Sequence, residues 1–221
     1  MSERGRLVTL EGVDGAGKSS HLQFIADALR TRTEAGTKTA AGMKSPGGTG
    51  RHVVVTREPG GTDLAERLRK AVLEEPMEPI AETLLLLAAR ADHVQRVIRP
   101  ALAAGSWVVC DRFADATAAY QGAGKGVPMD LIERLGAAVH PGLRPDRTLL
   151  FDCSYEISRQ RLAGSGKSLD RFEREDRAFF ERVRAAYLAL AKAEPGRIRV
   201  IDASADPAAI RKELERHLVF K

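Results

Sequence analysis

The stretch that decides the fold is Gly12-Val13-Asp14-Gly15-Ala16-Gly17-Lys18-Ser19, which matches the phosphate-loop pattern G-x-x-x-x-G-K-[ST]. An apolar run over 6–10 precedes it, and an amphipathic helical pattern begins at Lys18. Glycines permit the backbone dihedrals that turn successive N–H groups inward, and they let the chain approach phosphate oxygens closely. The N-terminus of the following helix adds a partial positive charge. The stretch therefore predicts a site for the phosphates of a nucleotide.

The phosphate-loop pattern assigns roles to particular residues. Lys18 is expected to reach the β- and γ-phosphates, and the Ser19 hydroxyl is expected to bind Mg²⁺. A second glycine-rich stretch, 164–168, does not qualify, because its first glycine would have to stand at Arg161 and no strand-like run precedes it. We therefore predict one phosphate loop. Its nucleotide-binding residues are expected to be Gly12, Val13, Asp14, Gly15, Ala16, Gly17, Lys18, Ser19 and Ser20.

Short apolar runs alternate with helical patterns along the whole chain. The runs predict five strands, at 6–10, 52–56, 107–110, 147–151 and 199–201. Their apolarity is continuous rather than alternating, which is typical of parallel strands covered on both faces. Helices are predicted at 18–30, 63–73, 80–104, 129–139, 154–162, 171–192 and 207–218. The alternation predicts an α/β fold of three layers, with a five-stranded parallel sheet flanked by helices.

Composition limits the classes of protein to consider. The chain has 221 residues, 43% of them hydrophobic, and 35 Lys and Arg against 30 Asp and Glu, for a formal charge of +5. These values are typical of a globular protein of one or two domains. The longest apolar run, 84–89, is too short to span a bilayer, and no signal peptide is recognisable. With Cys110 and Cys153 read as reduced core thiols, we expect a cytoplasmic protein that does not associate with a membrane.

One segment interrupts the alternation. Residues 31–50 are rich in Gly, Thr and Ala, carry Lys38 and Lys44, and contain almost no large apolar side chains. Such a composition cannot bury enough apolar surface to offset the entropy lost on ordering. We predict a mobile surface insertion without a part in catalysis. A basic flap over a ligand is the functional alternative.

A phosphate loop is shared by GTPases, ATPase motors and small-molecule kinases. The guanine-recognition motif Asn-Lys-x-Asp is absent, which argues against a GTPase switch, and motors usually need a larger sheet and a longer chain. Further segments follow in order along the chain: Thr56-Arg57-Glu58-Pro59-Gly60-Gly61-Thr62, Ala88-Ala89-Arg90, Cys110-Asp111-Arg112-Phe113, and Thr117-Ala118-Ala119-Tyr120-Gln121-Gly122.

Together with the phosphate loop, these segments resemble the thymidylate kinases, over most of the chain from Leu7 to about Phe180. The resemblance is specific, because other nucleoside monophosphate kinases share the phosphate loop but not Arg-Glu-Pro-Gly-Gly. It implies ATP-dependent phosphorylation of dTMP to dTDP, a requirement for Mg²⁺, and a homodimer. It also implies one P-loop kinase domain over 1–221, with a short lid at 161–171.

Two residues that follow the third predicted strand have a physical role in such a reaction. Phosphoryl transfer requires two phosphates held in line with their charge neutralised. Arg112 is expected at the carboxyl edge of the sheet, where its planar fork suits an acceptor phosphate. Asp111 ends the strand and is a candidate ligand of Mg²⁺, directly or through water, together with Ser19. The alternative is a local ion pair between Asp111 and Arg112.

The resemblance implies further substrate contacts. Arg57 is assigned to the dTMP phosphate, and Asp14 to the sugar 3′-hydroxyl and to the organisation of Mg²⁺. The turn at Glu58-Pro59 is expected to contain a cis peptide bond. The stacking aromatic that many family members carry is replaced by Leu86, which forgoes an aromatic contribution of roughly 0.5–1.5 kcal/mol. The residues expected around the dTMP base and sugar are Leu86, Arg90, Thr117, Tyr120 and Gln121, with Arg90 donating to a thymine carbonyl and Tyr120 beneath the sugar.

The segment 161–171 is glycine-rich and basic, as expected of a closing lid. By the resemblance, a catalytic arginine stands either in the phosphate loop or in the lid. The loop has none, so the lid is expected to supply it, from Arg161 or Arg171, with Lys167 as a further candidate. The predicted catalytic set is Lys18, Arg112, Arg161 and Arg171.

Two other functions remain open on the sequence. Leu86 leaves room for a kinase of another (deoxy)nucleoside monophosphate. A pI of about 9.4 also permits a non-catalytic nucleotide-dependent protein that binds nucleic acid. With 5% aromatic residues and basic residues converging on the predicted site, we expect no nucleic-acid partner. The apolar helical stretch 84–97 is compatible with the dimer interface.

Overall fold

The computed structural model describes residues 4–36, 52–166 and 168–220, without the side chains of 32–36. Five strands form one sheet in the order β2-β3-β1-β4-β5, and every neighbouring pair is parallel. The predicted parallel five-stranded sheet is therefore confirmed. The strands are β1 Leu7–Glu11, β2 Val53–Arg57, β3 Trp107–Asp111, β4 Arg147–Asp152 and β5 Ile198–Asp202.

Helices cover both faces of this sheet. Along β1, Val8 and Leu10 belong to one buried apolar cluster and Leu7 belongs to the other, because successive side chains of a strand point to opposite faces. The described helices are α1 Lys18–Gly36, α2 Asp63–Glu74, α3 Pro79–His93, α4 Arg99–Ala103, α5 Ala114–Thr117, α6 Met129–Val139, α7 Tyr155–Gly164, α8 Arg177–Ala193 and α9 Pro207–His217. π-Helical segments follow α3 at Val94–Ile98 and α5 at Ala118–Gly124.

The strand order positions the site. β1 lies between β3 and β4, so the chain leaves β1 to one side of the sheet and later returns to its other side. In parallel α/β sheets, ligands bind outside the carboxyl ends of the strands where the order reverses. Leu10 of β1 is in register with Asp111 of β3. The loop after β1 and the residues after β3 therefore meet at one edge.

The helices differ from the prediction in several places. The stretch 80–104 is interrupted by the π-helical turn Val94–Ile98. The helical stretch from Ala114 to Gly124 was not predicted, because its alanines and glycines carry no apolar periodicity. The first helix extends through Gly36, so the first six residues of the predicted insertion 31–50 are helical, and 37–50 lie outside the described residues. Within the described residues, no helix has the length and apolarity needed to cross a membrane.

The last large helix begins at Arg177 rather than at the predicted Arg171. A capping residue explains the difference. Asp176 has an extended backbone, and its carboxylate accepts a hydrogen bond from the N–H of Phe179 at 2.7 Å. Because this bond satisfies an otherwise unpaired first-turn donor, the helix begins after Asp176.

We expect Asp176→Ala to lower the free energy of unfolding by about 1 kcal/mol, since the cap bond to Phe179 is lost. Urea denaturation followed by circular dichroism measures the change. Asp176→Asn is the matched control, because asparagine caps as well as aspartate and should keep the wild-type value within a few tenths of a kcal/mol. Equal losses in both variants would show that the carboxylate charge matters and the cap bond does not.

Candidate active site

The phosphate loop joins β1 to α1, and its backbone carbonyl groups accept hydrogen bonds from the lysine at its end. Gly12 has φ of 133°, and a Cβ there would lie 2.2 Å from the carbonyl oxygen of Phe151, so only glycine fits. The buried Lys18 ammonium donates to the carbonyl oxygens of Gly12 and Val13, both at 2.9 Å. Burial, together with the nearby Arg112 guanidinium, lowers the pKa of Lys18 to about 8. Among the described residues this cation has no anionic partner in direct contact, and an incoming phosphate would supply one.

Arg112 connects the phosphate loop to the opposite side of the site. Its φ of 69° lies in the left-handed region, which is uncommon for a residue with a Cβ and is found where surrounding contacts hold it. Its Nη2 donates to Asp14 Oδ1 at 2.5 Å and to the Tyr120 hydroxyl at 3.0 Å. Tyr120 in turn donates to Asp14 Oδ2 at 2.8 Å. Arg112 thus pairs with an acid of the phosphate loop and not with the adjacent Asp111, contrary to the local ion pair considered from the sequence.

Asp14 is ionised by its surroundings. Burial raises the pKa of Asp14, but Arg112 and Lys18 lower it by more, and the result lies below the ordinary value. The carboxylate inside the phosphate loop is therefore neutralised by two cations, Lys18 at the end of the same loop and Arg112 directly after β3. The arrangement keeps two positive groups, Lys18 and Arg112, close to Asp14, at the place where phosphates would bind.

A buried chain of hydrogen bonds connects Arg112 to Glu11 through Tyr187. Glu11, the last residue of β1, accepts from the N–H of Phe113 at 2.7 Å and from the Tyr187 hydroxyl at 2.8 Å. Arg112 Nη1 donates to that same hydroxyl at 3.2 Å. Burial, with a contribution from Asp115, raises the pKa of Glu11 to about 8. Neither Glu11 nor Tyr187 was predicted as a site residue, and the one available signal was an acid at the end of an apolar strand.

The residues beside the loop suit a hard divalent cation. The Ser19 hydroxyl donates to Asp111 Oδ2 over 3.4 Å. The other oxygen, Oδ1, is buried and has no hydrogen-bond partner among the described residues. A buried carboxylate oxygen without a donor is costly unless a cation or water meets it. Oxygen ligands of this kind are the ones that Mg²⁺ prefers, so the residues fit that ion.

A second cleft opens on the far side of Arg112 and encloses about 660 Å³, with its open mouth included. The structure brings together there seven of the eight residues predicted to bind substrate: Asp14, Leu86, Arg90, Arg112, Thr117, Tyr120 and Gln121. The eighth, Arg57, does not line this cleft. Its side chain is 53% exposed, and it donates to Glu66 at 2.9 Å. Lining residues that were not predicted include Glu58, Arg69, Phe113, Asp170 and Phe172.

In this cleft the buried Arg90 is held in place by the buried carboxylate of Glu58. Arg90 Nε donates to Glu58 Oε2 at 2.6 Å, and Arg90 Nη2 donates to Phe113 O and Thr117 Oγ1, both at 3.0 Å. Burial raises the pKa of Glu58, but Arg90 and His93 lower it below its ordinary value. Glu58 is therefore a fixed anion, and Arg90 Nη1 has no partner among the described residues. The bond between Glu58 and Pro59 is cis, as predicted.

The two predicted lid arginines lie in different surroundings. Arg161, near the end of α7, donates to Ala203 O at 2.8 Å and to Ala16 O of the phosphate loop at 3.4 Å. Arg171 instead donates to the carboxylate of Glu82 on α3 and to Val72 O on α2. Arg161 is therefore adjacent to the loop, whereas Arg171 is tied to the helices around the second cleft. Lys167 lies outside the described residues.

Two phosphate-bearing ligands can reach Arg112 at once, one along the loop and one along the cleft. An enzyme built this way transfers a phosphoryl group between two nucleotides while holding both in line. The fold and the site therefore define the chain as a P-loop kinase of the nucleoside monophosphate kinase type.

Comparisons with known proteins identify the family. A family model described as Thymidylate kinase matches residues 10–214. The chain is 53% identical to the thymidylate kinase of Bordetella petrii over 218 residues, covering 99% of this chain and 97% of that protein. It is 51% identical to the thymidylate kinase of Methylobacillus flagellatus over 211 residues, covering 96% and 95% respectively. The chain belongs to the thymidylate kinase family.

A solved structure extends the match to three dimensions. The thymidylate kinase of Ehrlichia chaffeensis superposes with a TM-score of 0.72 at 29% sequence identity, covering 96% of this chain and 97% of that one. The predicted P-loop kinase fold, with its five-stranded parallel sheet flanked by helices, is confirmed. The resemblance read from the sequence motifs is confirmed as well.

We expect Glu11→Gln to flatten the pH dependence of stability between about pH 5 and pH 8. The native pKa of Glu11 is raised to about 8 from 4.5, so the folded state keeps a proton that the unfolded chain releases. The free energy of unfolding therefore falls as pH rises through this window, by up to about 1.4 kcal/mol per pH unit from this group. Glutamine cannot titrate and removes that contribution.

Urea denaturation at pH 5, 6.5 and 8 measures the slope for the wild type and for Glu11→Gln. Glu74→Gln is the control, because Glu74 is an exposed acid whose carboxylate lies 3.9 Å from Lys70. It should keep the wild-type slope. Parallel curves for the wild type and Glu11→Gln would contradict the assignment of a raised pKa to Glu11.

Proposed function

We propose that the kinase phosphorylates dTMP to dTDP with ATP as the phosphoryl donor and Mg²⁺ as the cofactor, and so serves dTTP supply. The observation that carries the proposal is the position of Arg112. Its guanidinium is bonded to Asp14 of the phosphate loop and also lines the second cleft. One arginine thus serves the donor side and the acceptor side of the transfer.

The donor phosphates bind along the loop N–H groups and the N-terminus of α1. Lys18 exchanges the carbonyl oxygens of Gly12 and Val13 for phosphate oxygens, which give its buried ammonium an anionic partner that the described residues do not provide. Ser19 and Asp111, with Asp14 in support, would hold Mg²⁺, which would supply charge neutralisation for the transfer. Arg112 neutralises the acceptor phosphate and the transferring group.

The acceptor occupies the second cleft. Arg90, aimed by Glu58, donates through its Nη1 to a carbonyl of the base, with Thr117 and Gln121 beside it. Leu86 packs on the base, and Tyr120, locked between Asp14 and Arg112, lies beneath the sugar. Arg57 would have to leave Glu66 to reach the acceptor phosphate.

The segment 161–171 is proposed as a lid within one domain that spans the chain. Arg161 supports this role better than Arg171, because its guanidinium already contacts Ala16 of the phosphate loop. A short movement would bring it to the transferring phosphoryl group, where an arginine can contribute about 10³–10⁵ in rate. Arg171 is engaged with Glu82, so its proposed part is to anchor the base of the lid.

A homodimer and a cytoplasmic location complete the proposal. Ile80 and Leu84 are large apolar side chains on α3 that are 51% and 48% exposed, and Met129 on α6 is 42% exposed. The helices α3 and α6 pack against each other, and large exposed apolar side chains on packed helices are typical of an interface. A second copy of the chain is the proposed partner for this surface, beside the substrates dTMP and ATP, with no nucleic acid.

The decisive experiment is an ADP-release assay with ATP, Mg²⁺ and a panel of dTMP, dUMP, dCMP, dGMP and AMP. We expect dTMP to have the highest kcat/KM. Lys18→Ala and Arg112→Ala should lose turnover by several orders of magnitude while remaining folded, since each removes a charge that meets the phosphates. A higher kcat/KM for another monophosphate would favour the alternative kinase. Near-normal turnover in both variants would contradict the site.

We expect Arg161→Ala and Arg171→Ala to differ in kinetics. Arg161→Ala should lower kcat by about 10³ or more with little change in the KM for dTMP, because its role belongs to the transition state. Arg171→Ala should affect the KM for dTMP more, because Arg171 contacts Glu82 at the edge of the acceptor cleft. Steady-state kinetics at saturating ATP distinguishes the two. The reverse pattern would make Arg171 the catalytic arginine.

A further inference from the structure

Glu82 is the most deeply buried acid of the acceptor side and has no role in the transfer described above. It lies on α3 with no exposed surface and accepts hydrogen bonds from three side chains. Gln121 Nε2 donates to Oε1 at 2.8 Å, Lys125 Nζ donates to Oε2 at 2.8 Å, and Arg171 Nη2 donates to the same oxygen. A buried carboxylate is costly even when paired, and an apolar side chain would fill the same space.

The partners of Glu82 surround its carboxylate with positive charge. Lys125 and Arg171 bring two positive charges to one carboxylate, and Glu175 lies 3.9 Å from the same Lys125. An ionised carboxylate can only accept hydrogen bonds. Each partner must therefore present a donor to Glu82.

This requirement determines which way the Gln121 amide points. Gln121 belongs to the π-helical segment Ala118–Gly124, is 3% exposed and lines the acceptor cleft. Its NH₂ group must face Glu82, so its carbonyl oxygen Oε1 is the end left for the cleft. No donor to Oε1 is present among the described residues. The cleft thus has an acceptor at Gln121 and a donor at Arg90 Nη1.

That pair of groups is selective between pyrimidines. Thymine and uracil present a carbonyl oxygen next to a ring N–H, which matches a protein donor next to a protein acceptor. Cytosine presents an amino group next to an unprotonated ring nitrogen, which reverses both requirements. A flipped Gln121 amide would offer its NH₂ to the unprotonated ring nitrogen of cytosine, and so would satisfy one of these two reversed requirements.

We propose that Glu82 is a positioning residue for base specificity. By accepting from Gln121 Nε2, it holds the amide in the orientation that reads a base with an imide edge. The same carboxylate also accepts a hydrogen bond from Arg171, which belongs to the segment proposed as the lid. Glu82 therefore connects the orientation of the Gln121 amide to that segment. The proposal rests on the proposed function, because it assumes that the second cleft receives a pyrimidine nucleoside monophosphate.

Glu82→Gln tests the proposal, since glutamine has the same size but offers both a donor and an acceptor and lets the Gln121 amide flip. Competition binding and steady-state kinetics with dTMP, dUMP and dCMP give two ratios. We expect the preference for dTMP over dCMP to fall by about tenfold or more, because one hydrogen bond of the reading pair is no longer enforced. The preference for dTMP over dUMP should not change, because both bases have the imide edge.

Two further variants exclude a merely structural effect. Glu78→Gln, at the exposed N-terminus of the same helix and without a capping bond, is the matched control and should keep both ratios. Gln121→Ala should by itself lower the preference for dTMP over dCMP. Adding Glu82→Gln to Gln121→Ala should lower it no further, because residues that act through one another are not additive.

The outcomes separate this proposal from the function on which it rests. A wild type that binds dCMP as tightly as dTMP would refute both. A wild type that prefers dTMP, with a Glu82→Gln variant that weakens dTMP and dCMP equally, would refute the role of Glu82 alone. Should Glu82→Gln fail to fold, an unchanged preference in Gln121→Ala would still overturn the proposal, because Glu82 is argued to act through that amide.

Discussion

The ion pair between Arg112 and Asp14 is the contact on which the organisation of the site depends. It crosses from the residue after β3 to the loop after β1, two strands that are neighbours in the sheet. Because of it, the phosphate loop and the acceptor cleft share one wall. Arg112 adopts a left-handed backbone conformation to make this contact, and Tyr120 and Tyr187 bond the rest of its guanidinium. A kinase gains from such rigidity, since charge that is already oriented need not reorganise during transfer.

Three buried glutamates support the side chains that would contact substrate. Glu11 supports Arg112 through Tyr187 and through the N–H of Phe113, and Glu58 aims Arg90. Glu82 orients Gln121. Each acts by accepting hydrogen bonds in a place that water does not reach, where an unpaired donor would be costly. The acids of this basic protein therefore matter as much as its cations, which the net charge of +5 conceals.

Much of the fold was predictable because its signals are local. Strand apolarity located all five strands to within a residue or two, and the phosphate-loop motif marked the start of α1. The start of α8 was not found, because a cap at Asp176 outweighed the apolar pattern that begins at Arg171. The helical stretch from Ala114 to Gly124 was missed because alanine and glycine carry no periodicity, although it supplies Thr117, Tyr120 and Gln121 to the cleft.

The sequence by itself determined the parallel α/β sheet, the phosphate loop and the family, because each depends on residues close together along the chain. Only the tertiary structure decided which side chains meet. Glu11 and Tyr187, which are 176 positions apart, are joined by one hydrogen bond, and Glu82 and Arg171 are 89 apart. It also separated Arg161 from Arg171, which the sequence treated alike. Contacts of this kind arise from packing across the sheet, and no local pattern encodes them.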